Sequence, residues 1–434
     1  MRRPIRPPVP LTFVALALFA VAPGAVAQDD ADIRGTIRGG GQTIKIALPS
    51  PQVAGHQAAV DEIIQTIRDD LSYSGWFEVV DPSLYRLVPA AGEKGEPFEA
   101  WESIGVDDGF VRFDVKVDDR RVDLGARLYD VKSKSLIRHW RYAGNLDLKR
   151  RVAHTVSDEL VMNYTGKKGV AMTRIAFVSK HGDGKEVYLM DYDGARVRRL
   201  TTSGTINLSP VWSPDGTELA WVSWHQRQPG VYLMDDQGGL KQLRTVGGEL
   251  SSAPDWSPDG TKLAYTSDVD DNTEIYLLDR TSGKNTRLTR HPGIDTAPAI
   301  SPNGREIAFT SDRTGRPHTY LMGIDGLNIR RISWEGTYNE SPAWSPDGTK
   351  LAFVSRVEGV FQIMVMDNAT KKTTRLTYGL GNNENPRWSP DGRHIVFASN
   401  RGNGRYAIYT MRSDGSNVKQ LTKGLDAYTP DWSR

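Results

Sequence analysis

The 434-residue chain has no cysteine. That absence removes disulfide staples, thiolate metal centres and a cysteine nucleophile together. Gly-x-Ser is also missing, so the strained elbow that presents a serine nucleophile in α/β-hydrolases cannot be built. The eight histidines never fall within four residues of one another, which excludes His-Glu-x-x-His metal chemistry. Neither Gly-x-Gly-x-x-Gly nor a Walker-type loop is present to cradle phosphate. Excess charge is lacking too: the net +2 includes Arg2, Arg3 and Arg6, so the residues after position 27 sum to −1. Nucleic acid is therefore not an expected partner, because phosphate binding rests on a clustered basic excess. The apolar run at Leu11 to Ala22 is too short for a bilayer core that needs roughly 20 residues.

Read with its flanks, that run has another meaning. A basic start (Arg2, Arg3, Arg6), the apolar stretch and the small residues Ala25-Val26-Ala27 make residues 1–27 a cleaved signal peptide, which marks the mature chain for export. No cysteine follows to carry a lipid, and no direct membrane insertion is expected. Without disulfides, stability must come from core burial.

What the chain does have is a repeat. Pro-x-Trp-Ser-Pro-Asp recurs with its Trp position at Trp212, Trp256, Ile300, Trp344, Trp388 and Trp432, each 44 residues after the last. Every copy holds four short strand-like segments, A to D, a layout that defines a β-propeller. In Ser213-Pro214-Asp215-Gly216 the proline presets φ, the aspartate suits the second corner and the glycine can take φ > 0. The ends of the array complete each other. The first copy, from Thr173, has no Pro-x-Trp strand before it, while Tyr428 to Trp432 is a surplus one. A closed ring of six blades over residues 173–434, sealed by the C-terminal strand, avoids the exposed edges of an open solenoid.

Residues 43–165 read differently. Ile44 to Leu48 and Phe77 to Val80 suggest strands, and His56 to Leu71 carries apolar residues at helical spacing. Alternation over Phe110 to Val117, Val122 to Tyr129 and Ile137 to Tyr142 predicts an antiparallel meander, and Leu148 to Tyr164 a last helix. This is a small α/β domain, joined to the propeller by a linker over Thr165 to Met172. Residues 28–42, glycine-rich and polar, form a flexible leader. Within it Ile33 and Ile37, interleaved with Asp32, Arg34 and Arg38, could add as a strand to a partner's sheet edge.

The repeated Trp residues suit packing between blades, and the repeated Asp suits a turn. Asp268-x-Asp270-Asp271-Asn272 lacks the glycine of a calcium loop and reads as a solvated turn. The candidate site lies instead where the repeat varies. Five residues ahead of each Trp position stand Asn207, Ser251, Asp295, Asn339, Asn383 and Ala427; four ahead stand Leu208, Ser252, Thr296, Glu340, Glu384 and Tyr428. In a propeller these D-to-A connections gather at one mouth of the channel, a recognition surface on a rigid scaffold. Asp295, Glu340 and Glu384 there could bind a stray cation.

Signal peptide, α/β domain, linker and six such blades ending on a lone Pro-x-Trp resemble the TolB family, periplasmic component of the Tol-Pal system. Thr310-Ser311-Asp312-Arg313-x-Gly315-Arg316-Pro317 continuing to Arg331-Ile332-Ser333-Trp334-Glu335-Gly336, and His154-Thr155-x-Ser157-Asp158-Glu159, are similar to that family beyond the blade consensus. The resemblance implies a non-enzymatic adaptor with no cofactor or metal, supporting outer-membrane invagination during cell division and envelope integrity. It implies that the lipoprotein Pal binds the mouth at Leu208, Ser252, Ala253, Asp295, Thr296, Glu340 and Glu384. It also implies that TolA binds the leader at Asp32, Ile33, Arg34, Thr36 and Ile37, with other envelope proteins as further partners. A propeller hydrolase, lactonase or peptidase-like, is the alternative reading.

Overall fold

A computed structural model describes residues 43–434 apart from 54, 93–94, 226–228, 236–238, 244, 246–250, 335 and 380 and the side chains of 241, 242, 251 and 252. The signal segment 1–27 and the leader, with Asp32, Ile33, Arg34, Thr36 and Ile37, lie outside the described residues.

Apolar spacing dictates the first layer. Val60, Ile63, Ile64, Ile67 and Leu71 recur along one face of α1 (Gln57–Ser74) and are essentially fully buried. Each such side chain contributes about 1.5–3 kcal/mol. Gly75, at φ 70, ends the helix in the left-handed conformation that glycine adopts without penalty. The helix packs with α3 (Lys149–Thr165) on a five-stranded sheet. That sheet comprises β1 (Ile44–Ala47), β2 (Phe77–Val79), β3 (Gly109–Val117), β4 (Arg121–Asp130) and β5 (Ser135–Asn145), in the order β2-β1-β3-β4-β5. β1 runs parallel to both neighbours, and β3, β4 and β5 form the anticipated meander. Short helices escaped sequence reading: the six-residue α2 (Phe98–Ser103), too short to show a period, stacks Trp101 on Phe110 at 5.0 Å in a second core.

From Arg174 onward the chain forms six four-stranded antiparallel sheets, each in the order A-B-C-D from the centre outwards. Blade one takes strand A from the chain end: Ala427–Trp432 pairs with strand B Arg174–His181, and Ser433 Oγ accepts from Arg174 N at 2.9 Å. The ring is closed by this strand. The A-to-B turns are specified by side chains as the sequence implies. Ser213 Oγ donates to Asp215 Oδ1 (2.6 Å) and accepts from Glu218 N (2.8 Å), and the pattern recurs at Ser257, Ser301, Ser345 and Ser389. The tryptophans join blades: Trp256, Trp344 and Trp388 donate their indole N–H to the carbonyls of Val211, Ala299 and Ala343 in the preceding blade (3.3, 3.1 and 3.1 Å).

The α/β domain sits on the end of the propeller that carries the A-to-B turns. In blade six, Arg393 donates to the carbonyls of Ser74 (3.0 Å) and Gly75 (2.9 Å) and lies 3.8 Å over the Trp76 ring. His394 stacks on Tyr73 at 4.2 Å, its burial holding the imidazole neutral with a pKa near 4. In blade one, Tyr192 donates to Asp70 (2.6 Å), whose other oxygen is bonded by His154 (2.8 Å) and Ser157 (2.7 Å). The Asp158 carboxylate accepts the N–H groups of Ala171 and Met172 and so fixes the linker. Between the two parts lies an open cleft of about 930 Å³, with Asp158, Glu159 and Lys167 on one side and Asp215, Asp347 and Arg434 on the other.

Candidate functional site

The mouth at the opposite end is built by the starts of the six A strands. Each begins with two residues paired to strand B and then breaks register at a bulge before resuming. The third residue of each strand, Ser209, Ala253, Ala297, Ser341, Asn385 and Thr429, has positive φ between 41° and 53°. None is a glycine, so each costs of order 1–3 kcal/mol that the surrounding ring must over-determine. Every one precedes a proline, and together with five of those prolines they line the narrow throat of the channel.

This bulge explains how the unrepeated residues are presented. Asn207, Asp295, Asn339 and Asn383 point inward and are buried, whereas Leu208, Thr296, Glu340, Glu384 and Tyr428 are half-buried. Asp295 is fully enclosed and held by Arg313 through both carboxylate oxygens (3.1 and 2.9 Å). Burial raises its pKa despite that guanidinium. Thr296 follows on the strand, opposite Thr310. Ser252 pairs with Thr266 through the backbone, its side chain outside the described residues, and Ala253 is the bulge residue of its blade.

The two glutamates stand in adjacent blades. Glu340 accepts from Tyr338 OH at 2.9 Å and Glu384 from Tyr406 OH at 2.6 Å. Burial pushes the Glu340 carboxyl up, and repulsion from Glu384 adds to it against the pull of the Tyr338 hydroxyl. Tyr428 packs against Tyr406 at 5.1 Å, and Lys185 lies 5.1 Å over the Tyr428 ring. The mouth thus offers hydroxyls, two carboxylates and aromatic faces.

The cation expectation needs correcting. The described residues contain no group of three His, Asp or Glu able to hold an ion. Asp295 is committed to Arg313, Glu340 to Tyr338 and Glu384 to Tyr406, so the three acids are not brought together as ligands. Asp270 of the calcium-loop-like segment accepts instead from Tyr276 and Arg287 (2.7 and 2.6 Å). The sequence did not assign Tyr338, Tyr406 or, despite its place in the family-like stretch, Arg313 to the mouth they orient. They lie outside the aligned columns and act across loops; the x-Pro step in every A strand was the available signal for the bulge.

Deeper in the channel, Asp255, Arg387 and Asp431 occupy the variable position of Pro-x-Trp. Asp431 accepts from Trp212 N (2.8 Å) and Asp255 from Ile300 N (2.7 Å), each tying its strand to the next blade. Burial raises Asp431 to about 6, outweighing Arg387 at 3.4 Å.

Fold and mouth define a two-domain β-propeller protein whose rigid ring presents different side chains from each blade. Comparison places it further. Residues 36–137 match the TolB amino-terminal domain, and residues 161–342 and 338–434 the TolB beta propeller domain. The chain belongs to the TolB family. It is 37% identical over 211 residues to a Tol-Pal system protein TolB of Geobacter sulfurreducens and 36% over 210 residues to one of Geobacter metallireducens. Those alignments cover 48% of this chain and 48% of each relative, so the chain spans about half the length of the curated relatives it matches. The crystal structure of TolB from Acinetobacter baumannii superposes with a TM-score of 0.78 at 27% identity, covering 91% of this chain and 97% of that one.

Proposed function

We propose that the chain is a periplasmic, non-enzymatic adaptor of the Tol-Pal system, linking the outer-membrane lipoprotein Pal to the inner-membrane protein TolA. In that role it supports outer-membrane invagination during division and envelope integrity. The observation that carries this reading is the mouth: side chains that differ between blades, mounted on a strained and identical backbone device, at the end away from the α/β domain. Relatives named Tol-Pal system protein TolB support the reading that its partners are envelope proteins. Pal meets Leu208, Ser252, Ala253, Thr296, Glu340 and Glu384, and Asp295 with Arg313 holds the Thr296 segment in place. TolA takes the leader through Asp32, Ile33, Arg34, Thr36 and Ile37.

Calorimetric titration with the soluble domain of Pal tests the mouth. Thr296→Arg and Glu340→Lys weaken binding about a hundredfold, in the range of buried interface contacts, with the melting temperature unchanged. Unaltered affinity in both variants places Pal elsewhere. Deleting residues 28–38 abolishes TolA binding and spares Pal binding; loss of both makes the leader structural. Ester turnover or a stoichiometric metal in the purified chain overturns the adaptor reading.

A further inference from the structure

Along the outer rim of blades four and five, two arginines stand without the acids that neutralise their counterpart in blade three. There Arg287 pairs with Glu274 at 2.9 Å and Asp270 at 2.6 Å. The residue equivalent to Glu274 becomes His318 and then Gln362, each 44 positions on. Arg331 accordingly keeps its bond to the Ser333 carbonyl (2.6 Å) and meets His318 Nδ1 (3.2 Å), while Arg375 bonds the Thr377 carbonyl (2.7 Å). Neither has an ion-pair partner among the described residues.

Each of these arginines lies under an exposed aromatic ring. Arg331 is 4.8 Å from the centroid of Trp334, which is 74% exposed, and Arg375 is 4.6 Å from that of Tyr378, 69% exposed. The equivalent positions in blades three and six are Arg290 and Lys423. Two large aromatic side chains are thus left open to water in adjacent blades, and exposed aromatics of this kind are common in binding hot spots. Next to it opens a cleft of about 610 Å³ lined by Thr337, Arg356, Val357, Glu358, Met364 and Arg375. Arg356 is exposed and bonds the Gly359 carbonyl, and Arg316 faces solvent at the same end of blade four. Glu358 is the one carboxylate of the described residues that lines the cleft.

We propose that the rim of blades four and five is a second docking surface, separate from the mouth, for an acidic and partly apolar segment of a protein partner. Carboxylates of that segment pair with Arg331, Arg356 and Arg375, and an apolar side chain enters the cleft against Val357 and Met364 beneath Trp334 and Tyr378. Charge complementarity selects this occupant: among the described residues four arginines stand there against the single glutamate Glu358, and guanidinium groups bind carboxylates in the planar geometry that ammonium groups cannot match.

The probe is a short fluorescein-labelled peptide of alternating glutamate and leucine, followed by anisotropy against the full chain. Blade six supplies a clean substitution, since Gln420 holds the equivalent place and bonds the Thr422 carbonyl at 2.7 Å. Arg331→Gln with Arg375→Gln removes the charge and keeps that bond. The double variant weakens the peptide about tenfold or more, and Trp334→Ala with Tyr378→Ala does the same, at unchanged melting temperature. Binding by the parent chain weakens as salt rises from about 0.05 M to about 0.5 M, and Thr296→Arg in the mouth leaves it intact. No binding by the parent chain, binding by either double variant as tight as the parent's, equal binding of a lysine-leucine peptide, or loss in Thr296→Arg overturns the proposal. So does capture of an N-acetylglucosamine oligomer by Trp334 and Tyr378 in place of the peptide, which would make the aromatic pair a sugar platform.

Discussion

At the scale of single residues, the propeller's weak points are its buried charges. Arg313→Ala leaves the Asp295 carboxylate enclosed with no cation beside it, a change that costs about 3–5 kcal/mol where an ion is stranded in this way. Urea denaturation measures it, and Asp295→Asn in the same background restores part of the loss. Asp431 gives a pH signature. Its carboxyl is raised from 3.8 to about 6 by burial, so the folded chain takes up a proton that the unfolded chain still lacks. This group therefore adds stability as pH falls from about 6 toward about 4 and none as pH rises above that window. In Asp431→Asn, which keeps an acceptor for the Trp212 N–H, melting temperatures taken across that window lose this rise. Neither Arg313 nor the setting of Asp431 could be read from the sequence. The sequence shows an acid in a variable column but not the long-range partner or the dry channel that determines its behaviour.

Elements were far more legible, because each is written in local chemistry. The 44-residue period, the Ser-Pro-Asp-Gly turns and the alternation of the meander each encode a conformation that neighbouring residues enforce. The bulge in strand A was not legible: proline ordinarily pushes the preceding residue toward extended backbone, yet here Ala253 and five others are held at positive φ by the ring. The turns have their own acid limit. Asp259 is held down to about 2, chiefly by the Ser257 hydroxyl and then by Thr261, and Asp215 and Asp347 are lowered by the same kind of hydrogen bonds against burial. Their contribution is full above about pH 4 and disappears as pH falls toward 2, a loss that circular dichroism on acid titration detects and that Asp259→Asn reduces. Between blades the indole bonds matter next. Trp388→Phe keeps most of the ring volume and loses the bond to Ala343, costing about 1 kcal/mol, whereas Trp388→Ala empties a packed site and costs about 3–5 kcal/mol.

For the whole molecule, the ends of the array revealed the ring, but nothing in the sequence reported where the α/β domain sits. Its contacts are scattered: Tyr73, Ser74 and Gly75 meet Arg393 and His394, and Asp70 meets Tyr192. A backbone carbonyl acting as acceptor leaves no mark on residue identity. The mouth was half legible in the same sense. Its columns could be found by subtracting the repeat, while the division into inward Asp295 and half-exposed Thr296 depends on strand pleat and bulge.

The placement of that domain has a consequence for the order in which the molecule comes apart. A six-bladed ring made from one chain has one seam, and here it runs beside Ala427–Trp432. No A-to-B turn joins this A strand to its own blade, and it is held there by strand pairing and a few bonds such as Ser433 to Arg174. The α/β domain grips blade six through Arg393 and His394 and blade one through Tyr192, so it lies across the seam like a buckle across a belt. Opening the ring requires the buckle to release first. Arg393→Ala with Tyr192→Phe should speed amide hydrogen exchange along Ala427–Trp432 ahead of the other A strands. Unchanged protection there would mean that strand pairing by itself keeps the belt closed.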